Sequence, residues 1–408
     1  MSHSAVRVVA AVAILLGLMV GNPTIMVPGM LLLTVSIASY LWAEYLPRHL
    51  SVKVHLKQRK VRFGQTVVGE VELRNDQPFP IPMVECSVEW PEELDAKQGR
   101  LIPHYKPGRL MLHNVLALRW FERVIRPFEV DCQLRGVHSF GPTMLFTADP
   151  FGLLGGHRRL AHEEELLVYP KTVPVRVAQS LRAIPFGEKG APSWIFDDPS
   201  RFRGSREYRP ADPFSRIEWK ATARTGQLHT RVFDASFATE VAVFVNLSTS
   251  EKAWEGIDHA LLERTVTVAA SVLEHCYGAG FRFGVYTNGF VRNRRSSASV
   301  RMGSGEGHWL AGMELLARVL PALGLPPERI LAAIASRVND HAQLVVITAR
   351  MTPALRHQLM RQRAHGRRLV VIFTGQDAPE KMSRVSVYTV AEKEAWHDLA
   401  DITLVKSS

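Results

Sequence analysis

No charged side chain interrupts the 36 residues from Val8 to Ala43. A run of that kind has to be kept out of water, and as one straight helix it would be about 54 Å long, far more than the ~30 Å hydrocarbon core of a bilayer. Gly21-Asn22-Pro23 punctuates the run, so the sequence predicts a helical hairpin over residues 1–47, with one leg ending near Val20 and a second from about Thr24 to Ala43. Arg7 precedes the first leg, Arg48, Lys53 and Lys57 follow the second, and the turn holds no Lys or Arg. The positive-inside bias therefore places both ends, and everything after Arg48, in the cytoplasm. Trp42 and Tyr45 fit an interfacial aromatic belt, and membrane lipid becomes the first expected partner, through residues 8–43. The rival is a secretory signal with Arg7 as its charged start and Val8 to Val20 as its apolar core. It lacks an Ala-x-Ala cleavage site, and a second apolar span follows at once.

Residues 48–175 alternate with period two. Val52, Val54 and Leu56 oppose Lys53, His55 and Lys57, and Val67, Val71 and Leu73 oppose Glu70, Glu72 and Arg74. With Pro78, Pro80, Pro82 and Pro91 as breakers, this predicts an all-β, immunoglobulin-like sandwich. Cys86 and Cys132 fall in phase with its apolar positions and are read as buried thiols; export would instead make a bridge between them plausible. Cys276 falls on a core helix.

From Glu240 the rhythm becomes strand, helix, strand. Apolar strands are predicted at Val241 to Asn246, Phe281 to Thr287, Gln343 to Thr348, Leu369 to Thr374 and Val385 to Val390. Helices are predicted at Asp258 to Tyr277, His308 to Leu320 and Pro327 to Val338. Fully apolar strands alternating with helices mean a parallel sheet covered on both faces, an α/β (Rossmann-type) domain over residues 240–408.

Between the two domains, in the segment 176–239, lies SREYRPADPFSRIEWKATARTG (Ser205 to Gly226). Arg203, Arg206, Arg209, Arg216, Lys220 and Arg224 stand among Glu207, Asp212 and Glu218, with Tyr208 and Trp219 interleaved. This stretch resembles the signature of the bacterial "domain of unknown function 58" family. RGVHSFGPTMLFTADPFGLL (Arg135 to Leu154) and ELLVYPKTVPV (Glu165 to Val175) resemble that family's lead-in, in the same order. With the two-leg anchor, the expected location is the inner membrane, multi-pass, with the soluble domains cytoplasmic; the resemblance implies a membrane-anchored protein. It also implies an immunoglobulin-like and a von Willebrand factor A-like domain and a MoxR-type AAA+ ATPase as partner. Two readings of the signature stand side by side. Arg-carboxylate pairs such as Arg206 or Arg209 with Asp212 or Glu218 can staple the loop to a domain junction while Trp219 fills a core gap. Alternatively Arg206, Glu207, Tyr208, Arg209, Asp212, Arg216, Trp219, Lys220 and Arg224 form a partner-binding surface, since Arg, Tyr and Trp dominate interface hot spots.

The first α/β strand runs into Asn246-Leu247-Ser248-Thr249-Ser250. A von Willebrand factor A domain holds a divalent metal there through Asp-x-Ser-x-Ser, at the carboxyl edge where open α/β sheets bind ligands. Asn246 stands in the Asp position, and Ala349-Arg350 follows the Gln343 to Thr348 strand where a second Asp is expected. Hard cations depend on carboxylates, so Mg²⁺ at Asn246, Ser248 and Ser250 is disfavoured and no cofactor is expected; the loop is read as satisfying its own backbone and capping the next helix. Arg350 through Arg368, with Arg356, Arg361, Arg363 and Arg367, is read as a solvated helix end.

The sixteen histidines make no zinc-site spacing, and no nucleophile elbow, P-loop or dinucleotide fingerprint occurs. The formal charge of +11 fits anionic lipid under the anchor or an acidic partner; nucleic-acid binding is disfavoured, because no recognition motif accompanies the charge. The expectation is a membrane-anchored, non-enzymatic adaptor or scaffold for an AAA+ ATPase in protein maturation or complex assembly. The alternatives are a ligand-binding or hydrolytic module using Ser248, Ser250 and Glu306 at the sheet edge, or an envelope assembly factor binding anionic lipid or polymer.

Overall fold

The computed structural model describes residues 3–151, 154–178, 202–208, 217–233, 240–250, 256–291, 298–320, 326–375, 382, 385–392 and 394–407. The chain divides into two compact units, Met1–Tyr169 and Pro170–Ser408.

The first unit opens with helices α1 (His3–Val20) and α2 (Pro23–Tyr45). Gly21 turns the chain at φ 66°, and the Asn22 side chain caps the new helix by accepting from Thr24 N at 3.0 Å. The helices return alongside each other on small residues. A Cβ added at Gly17 would lie 2.7 Å from Met26, and one at Gly29 would lie 3.0 Å from Ile14, the close backbone approach that glycine permits between apolar helices. Among the described residues α2 is the one helix long and apolar enough to cross a membrane, and only 17 % of its most apolar window is covered by protein. The apolar part of α1, Arg7–Val20, is shorter.

After a 3₁₀ turn, Leu46–His49, come β1 (Leu50–Leu56), β2 (Lys60–Val61), β3 (Thr66–Asn75), β4 (Ile81–Pro91), β5 (Arg100–Pro103) and β6 (Arg109–Leu118). They are followed by β7 (Arg123–Asp131), β8 (Gly136–Phe140), β9 (Thr143–Ala148), β10 (Gly155–Leu160) and β11 (Glu164–Val168). A β1-β3-β7 sheet and a β10-β9-β4-β6-β5 sheet share one core, flanked by β2-β11-β8. The alternation seen in sequence is the reason: Val54, Val67, Val71 and Leu73 from one sheet meet Val84, Cys86, Val88 and Leu112 from the other. Trp90 anchors this core edge-on to Phe128 and Phe140, at 5.2 and 4.7 Å between ring centroids, and its indole N–H donates to Leu94 O at 2.6 Å. Each such ring pair contributes about 0.5–1.5 kcal/mol beyond its buried area.

The second unit contains β12 (Val175–Ala178), β13 (Phe202–Glu207), α3 (Trp219–Thr225), β14 (His229–Phe233), β15 (Glu240–Asn246), α4 (His259–Gly278), β16 (Arg282–Thr287) and β17 (Phe290–Val291). Then come β18 (Ser299–Gly303), α5 (Glu306–Arg318), β19 (Val319–Leu320), α6 (Pro327–Arg337) and β20 (Gln343–Thr348). The unit ends with α7 (Pro353–Ala364), β21 (Leu369–Phe373), β22 (Ser386–Val390) and β23 (Ile402–Lys406). Its sheet runs β12-β23-β22-β21-β20-β15-β16-β18. The five strands from β22 to β16 are parallel neighbours, while β23 and β18 pair antiparallel to them at either side. Ala242 and Phe244 face α6 and α7 through Leu331, Ile334, Leu355 and Leu359. The alternate residues Val241, Val243 and Val245 turn to the other side of β15, against which α4 packs.

The structure departs from the sequence reading at the edges of this sheet. Residues up to 175 were expected in the sandwich, but the contacts divide at Tyr169 and Val175–Ala178 pairs with Ile402–Lys406. β18 and β23 were not expected at all, because a short edge strand lacks the continuous apolar run that marks a central one. The basic stretch after Arg350 is not uniformly solvated: Arg367, only 6 % exposed, caps the end of α6 by donating to Val338 O at 3.1 Å and Asn339 O at 3.3 Å, and pairs with Asp340.

All three cysteines are free and buried. Burial pushes the Cys86 and Cys276 thiols up to about 12 and Cys132 to about 11, so the reactive thiolate is scarce at neutral pH. A thiol reagent at pH 8 should label none of the three in the native chain and all three after denaturation; fast native labelling would contradict this packing.

Candidate functional site

The parallel strands deliver a row of small polar residues to the carboxyl edge of the sheet: Asn246 ends β15, Asn288 follows β16, Thr348 ends β20 and Thr374 follows β21. All four are buried, Asn246 at 1 % and Thr348 at 0 % exposure. Asn246 lies at the centre. Its amide nitrogen donates to Thr348 Oγ1 at 2.9 Å, and its oxygen accepts from Asn288 Nδ2 at 2.8 Å and from Ser248 N at 3.2 Å. Asn288 also donates to Ser248 Oγ at 2.9 Å and accepts from Leu247 N at 2.8 Å. Thr348 Oγ1 passes its own proton to Arg350 O at 2.6 Å.

That donor set does not fit a divalent cation. A metal needs lone pairs aimed at one point, whereas both lone-pair directions of Asn246 Oδ1 already receive N–H groups. The Arg350 side chain reaches the same loop, Nε donating to Thr249 O at 3.1 Å, and brings a positive charge where a second carboxylate would be needed. Among the described residues no cluster of three or more His, Cys, Asp or Glu side chains could hold a metal. Ser250 Oγ donates to Gly256 O at 2.9 Å and Thr249 Oγ1 accepts from Asp258 N at 3.0 Å, so the hydroxyls close the loop on itself. The cap of α4 is Asp258, whose carboxylate accepts from Leu261 N at 3.0 Å.

Glu306 does not join Ser248 and Ser250. β18 pairs antiparallel with β16 so that Gly303 lies opposite Phe283 at the start of that strand, and His308 is within 2.7 Å of Phe283 O. Glu306 therefore begins α5 at the amino edge of the sheet, opposite the Asn246 loop.

In the signature, β13 and β14 form an antiparallel ribbon with Arg206 opposite Thr230 and Glu207 opposite His229. Tyr208 N donates to Leu228 O and Glu218 N to His229 O, both at 2.8 Å, which ties the two halves of the motif together. Between them α3 is closed by Gly226 at φ 75°, its N–H on Thr222 O, and by His229 N on Thr222 Oγ1 at 3.0 Å. No residue of α3 is buried. Trp219 is 67 % exposed, which corrects the expectation that it fills a core gap; the buried apolar residue of the turn is Ile217, bridged to Thr230. Lys220, Arg224 and Glu207 are exposed and Tyr208 is half-buried. Arg209, Asp212 and Arg216 lie outside the described residues, as does the Arg206 side chain. Asn288, Thr348 and Thr374, which the sequence reading passed over, share a signal that could have found them: each is a polar residue that closes or directly follows a β-strand at its carboxyl end.

Residues 204–395 match the family model described as "Protein of unknown function DUF58". Over those residues, a little under half of its length, the chain is similar to that family. The uncharacterized protein YeaD of Bacillus subtilis (strain 168) is 26 % identical over 242 residues, 59 % of this chain and 57 % of that protein, so the match spans little more than half of the relative's length. A solved CARDB domain from Pyrococcus furiosus is 12 % identical and covers 29 % of this chain and 91 % of its own, with a TM-score of 0.21. A cohesin module of a Clostridium perfringens glycoside hydrolase is 11 % identical, covering 29 % of this chain and 96 % of its own, with a TM-score of 0.22. Scores this low leave the architecture to the strand order described above.

Asn246→Asp sets a carboxylate oxygen against Thr348 Oγ1, whose own proton goes to Arg350 O, in place of the amide N–H that now donates there. The variant should lose about 1–3 kcal/mol in a urea titration of the α/β unit, and millimolar Mg²⁺ should not restore it. Recovery with Mg²⁺ would reveal a cation site after all.

Proposed function

We propose that this chain is a membrane-anchored, non-enzymatic adaptor that presents the DUF58 signature to a partner. The observation that carries the reading is the solvent-facing α3: a tryptophan 67 % exposed, with Lys220 and Arg224 one helical turn apart, on a helix that buries nothing of its own. An exposed aromatic flanked by cations contributes little to its own fold and much to an interface. A flexible loop would lose entropy on docking, but this helix is already closed at both ends by backbone bonds, which reduces that cost. Exposed cations suit an acidic surface, and a MoxR-type AAA+ ATPase is the partner implied by the family resemblance, with ATP chemistry residing there.

The anchor is α2, and in the two-pass reading α1 returns beside it. Arg7 and the cations from Arg48 onward then share the cytoplasmic side of an inner membrane. On this reading the sandwich is immunoglobulin-like and the α/β unit is von Willebrand factor A-like with a metal loop replaced by amides. The closed Asn246 network disfavours a hydrolytic or ligand-binding module at that edge, because its serine hydroxyls are committed to the loop.

The test is affinity capture from native membranes with the tagged full chain, with and without a non-hydrolysable ATP analogue. Nucleotide-dependent recovery of an AAA+ ATPase is expected, lost in Trp219→Ala while the unfolding midpoint stays unchanged. Capture that survives Trp219→Ala would move the interface elsewhere, and recovery of no ATPase would end the adaptor reading.

A further inference from the structure

The turn joining β6 and β7 carries two adjacent aromatic residues into solvent, Trp120 at 62 % and Phe121 at 66 % exposure. Phe121 sits at φ 50°, the one non-glycine with positive φ among the described residues. A bulky side chain is disfavoured there, and a water-facing turn would place Gly, Asn or Asp at such a position.

The conformation is held from below. Phe121 N donates to Gln77 O at 3.1 Å, Asn75 N to Glu122 O at 2.9 Å, and Arg119 N to Glu122 Oε2 at 2.6 Å. Asn75 is fully buried, and its amide donates to both Arg119 O and Phe79 O at 2.8 Å. These bonds tie the aromatic turn to the neighbouring loop, where Phe79 is itself 48 % exposed.

The Phe79 ring lies 5.7 Å from that of Trp42, one turn before the end of α2. Below α2, Arg158 donates to Arg48 O at 2.7 Å and Leu50 O at 3.2 Å, so the helix end and the sandwich are fastened together. The aromatic turn is thereby placed at the level where a spanning helix leaves the hydrocarbon, the depth at which aromatic side chains concentrate. Exposed Arg119 beside the rings suits lipid phosphate.

We propose that the β6–β7 turn inserts Trp120 and Phe121, with Phe79 beside them, into the headgroup–acyl boundary of the bilayer that α2 crosses. The inference rests on the membrane reading of α2 and adds to it: the sandwich has two attachments, one covalent and one reversible, and cannot swing freely on the residues after Tyr45.

The test uses the full chain in phosphatidylethanolamine–phosphatidylglycerol vesicles, with one environment-sensitive fluorophore at Trp120→Cys, Tyr105→Cys or Leu32→Cys. The buried native cysteines stay unlabelled. Tyr105, 83 % exposed, lies in the turn at the opposite end of the ten-residue β6, about 34 Å away. Expected are strong quenching at position 120 by lipids spin-labelled near the headgroup, a blue-shifted emission, and several-fold weaker quenching by aqueous iodide than at position 105. If position 32 is quenched by lipid while 120 is as open to iodide as 105, the turn stays in water and the proposal falls alone. A position 120 shielded from iodide but untouched by spin-labelled lipid means that a protein surface or a second copy covers it, which also overturns the proposal. Absence of lipid quenching at position 32 removes the membrane reading of α2 and the insertion with it.

Discussion

Most of the apolar surface of α2 is uncovered by the described residues. Leu31, Leu41 and Val27 are each more than half exposed, and 17 % coverage of the helix's most apolar window leaves most of it uncovered. At about 25 cal/mol per Å² of apolar area, leaving the nine exposed large apolar side chains from Ile25 to Tyr45 in water would cost as much as a domain's net stability. The helix therefore has to sit in lipid or against another apolar surface, and this requirement orients the unit attached to it. Trp42 against Phe79 and Arg158 on the backbone of Arg48 and Leu50 fasten the helix end to the sandwich.

The α/β unit answers a different question at its carboxyl edge. Its parallel strands bring side chains from four strand ends together, a geometry suited to a ligand site. Here that geometry is occupied by amides and hydroxyls that bond one another, with Arg350 closing the loop. A buried polar network with every central atom partnered rigidifies the edge. On α3, whose hydrogen bonds close the helix at both ends, Trp219, Lys220 and Arg224 are exposed and no residue is buried.

Much of this was legible in the order of residues. The break at Gly21-Asn22-Pro23, the period-two alternation of β1 and β3 and the apolar runs of β15, β20 and β21 appear in the structure within a residue or two. The Asn246 and Arg350 substitutions already argued against a cation loop, and the signature over 205–226 pointed to the family before any fold was known. Less legible were β12, β18 and β23, whose residues acquire strand geometry only because a neighbouring strand offers them unpaired backbone groups.

Local pattern determined what each segment is, because helix and strand periodicity, turn glycines and uncharged length are properties of neighbours in sequence. It also indicated that the uncharged run avoids water and that Asn246 and Ala349-Arg350 stand where carboxylates would be expected. Only the tertiary structure decided that Trp219 faces outward while Ile217 is buried, that Arg367 caps a helix thirty residues earlier, that Glu306 lies at the opposite edge from Ser248, and that Phe79 meets Trp42 near the end of α2. Those are contacts between residues far apart in the chain. They depend on which surfaces the folded backbone brings together, and composition and spacing carry no record of that.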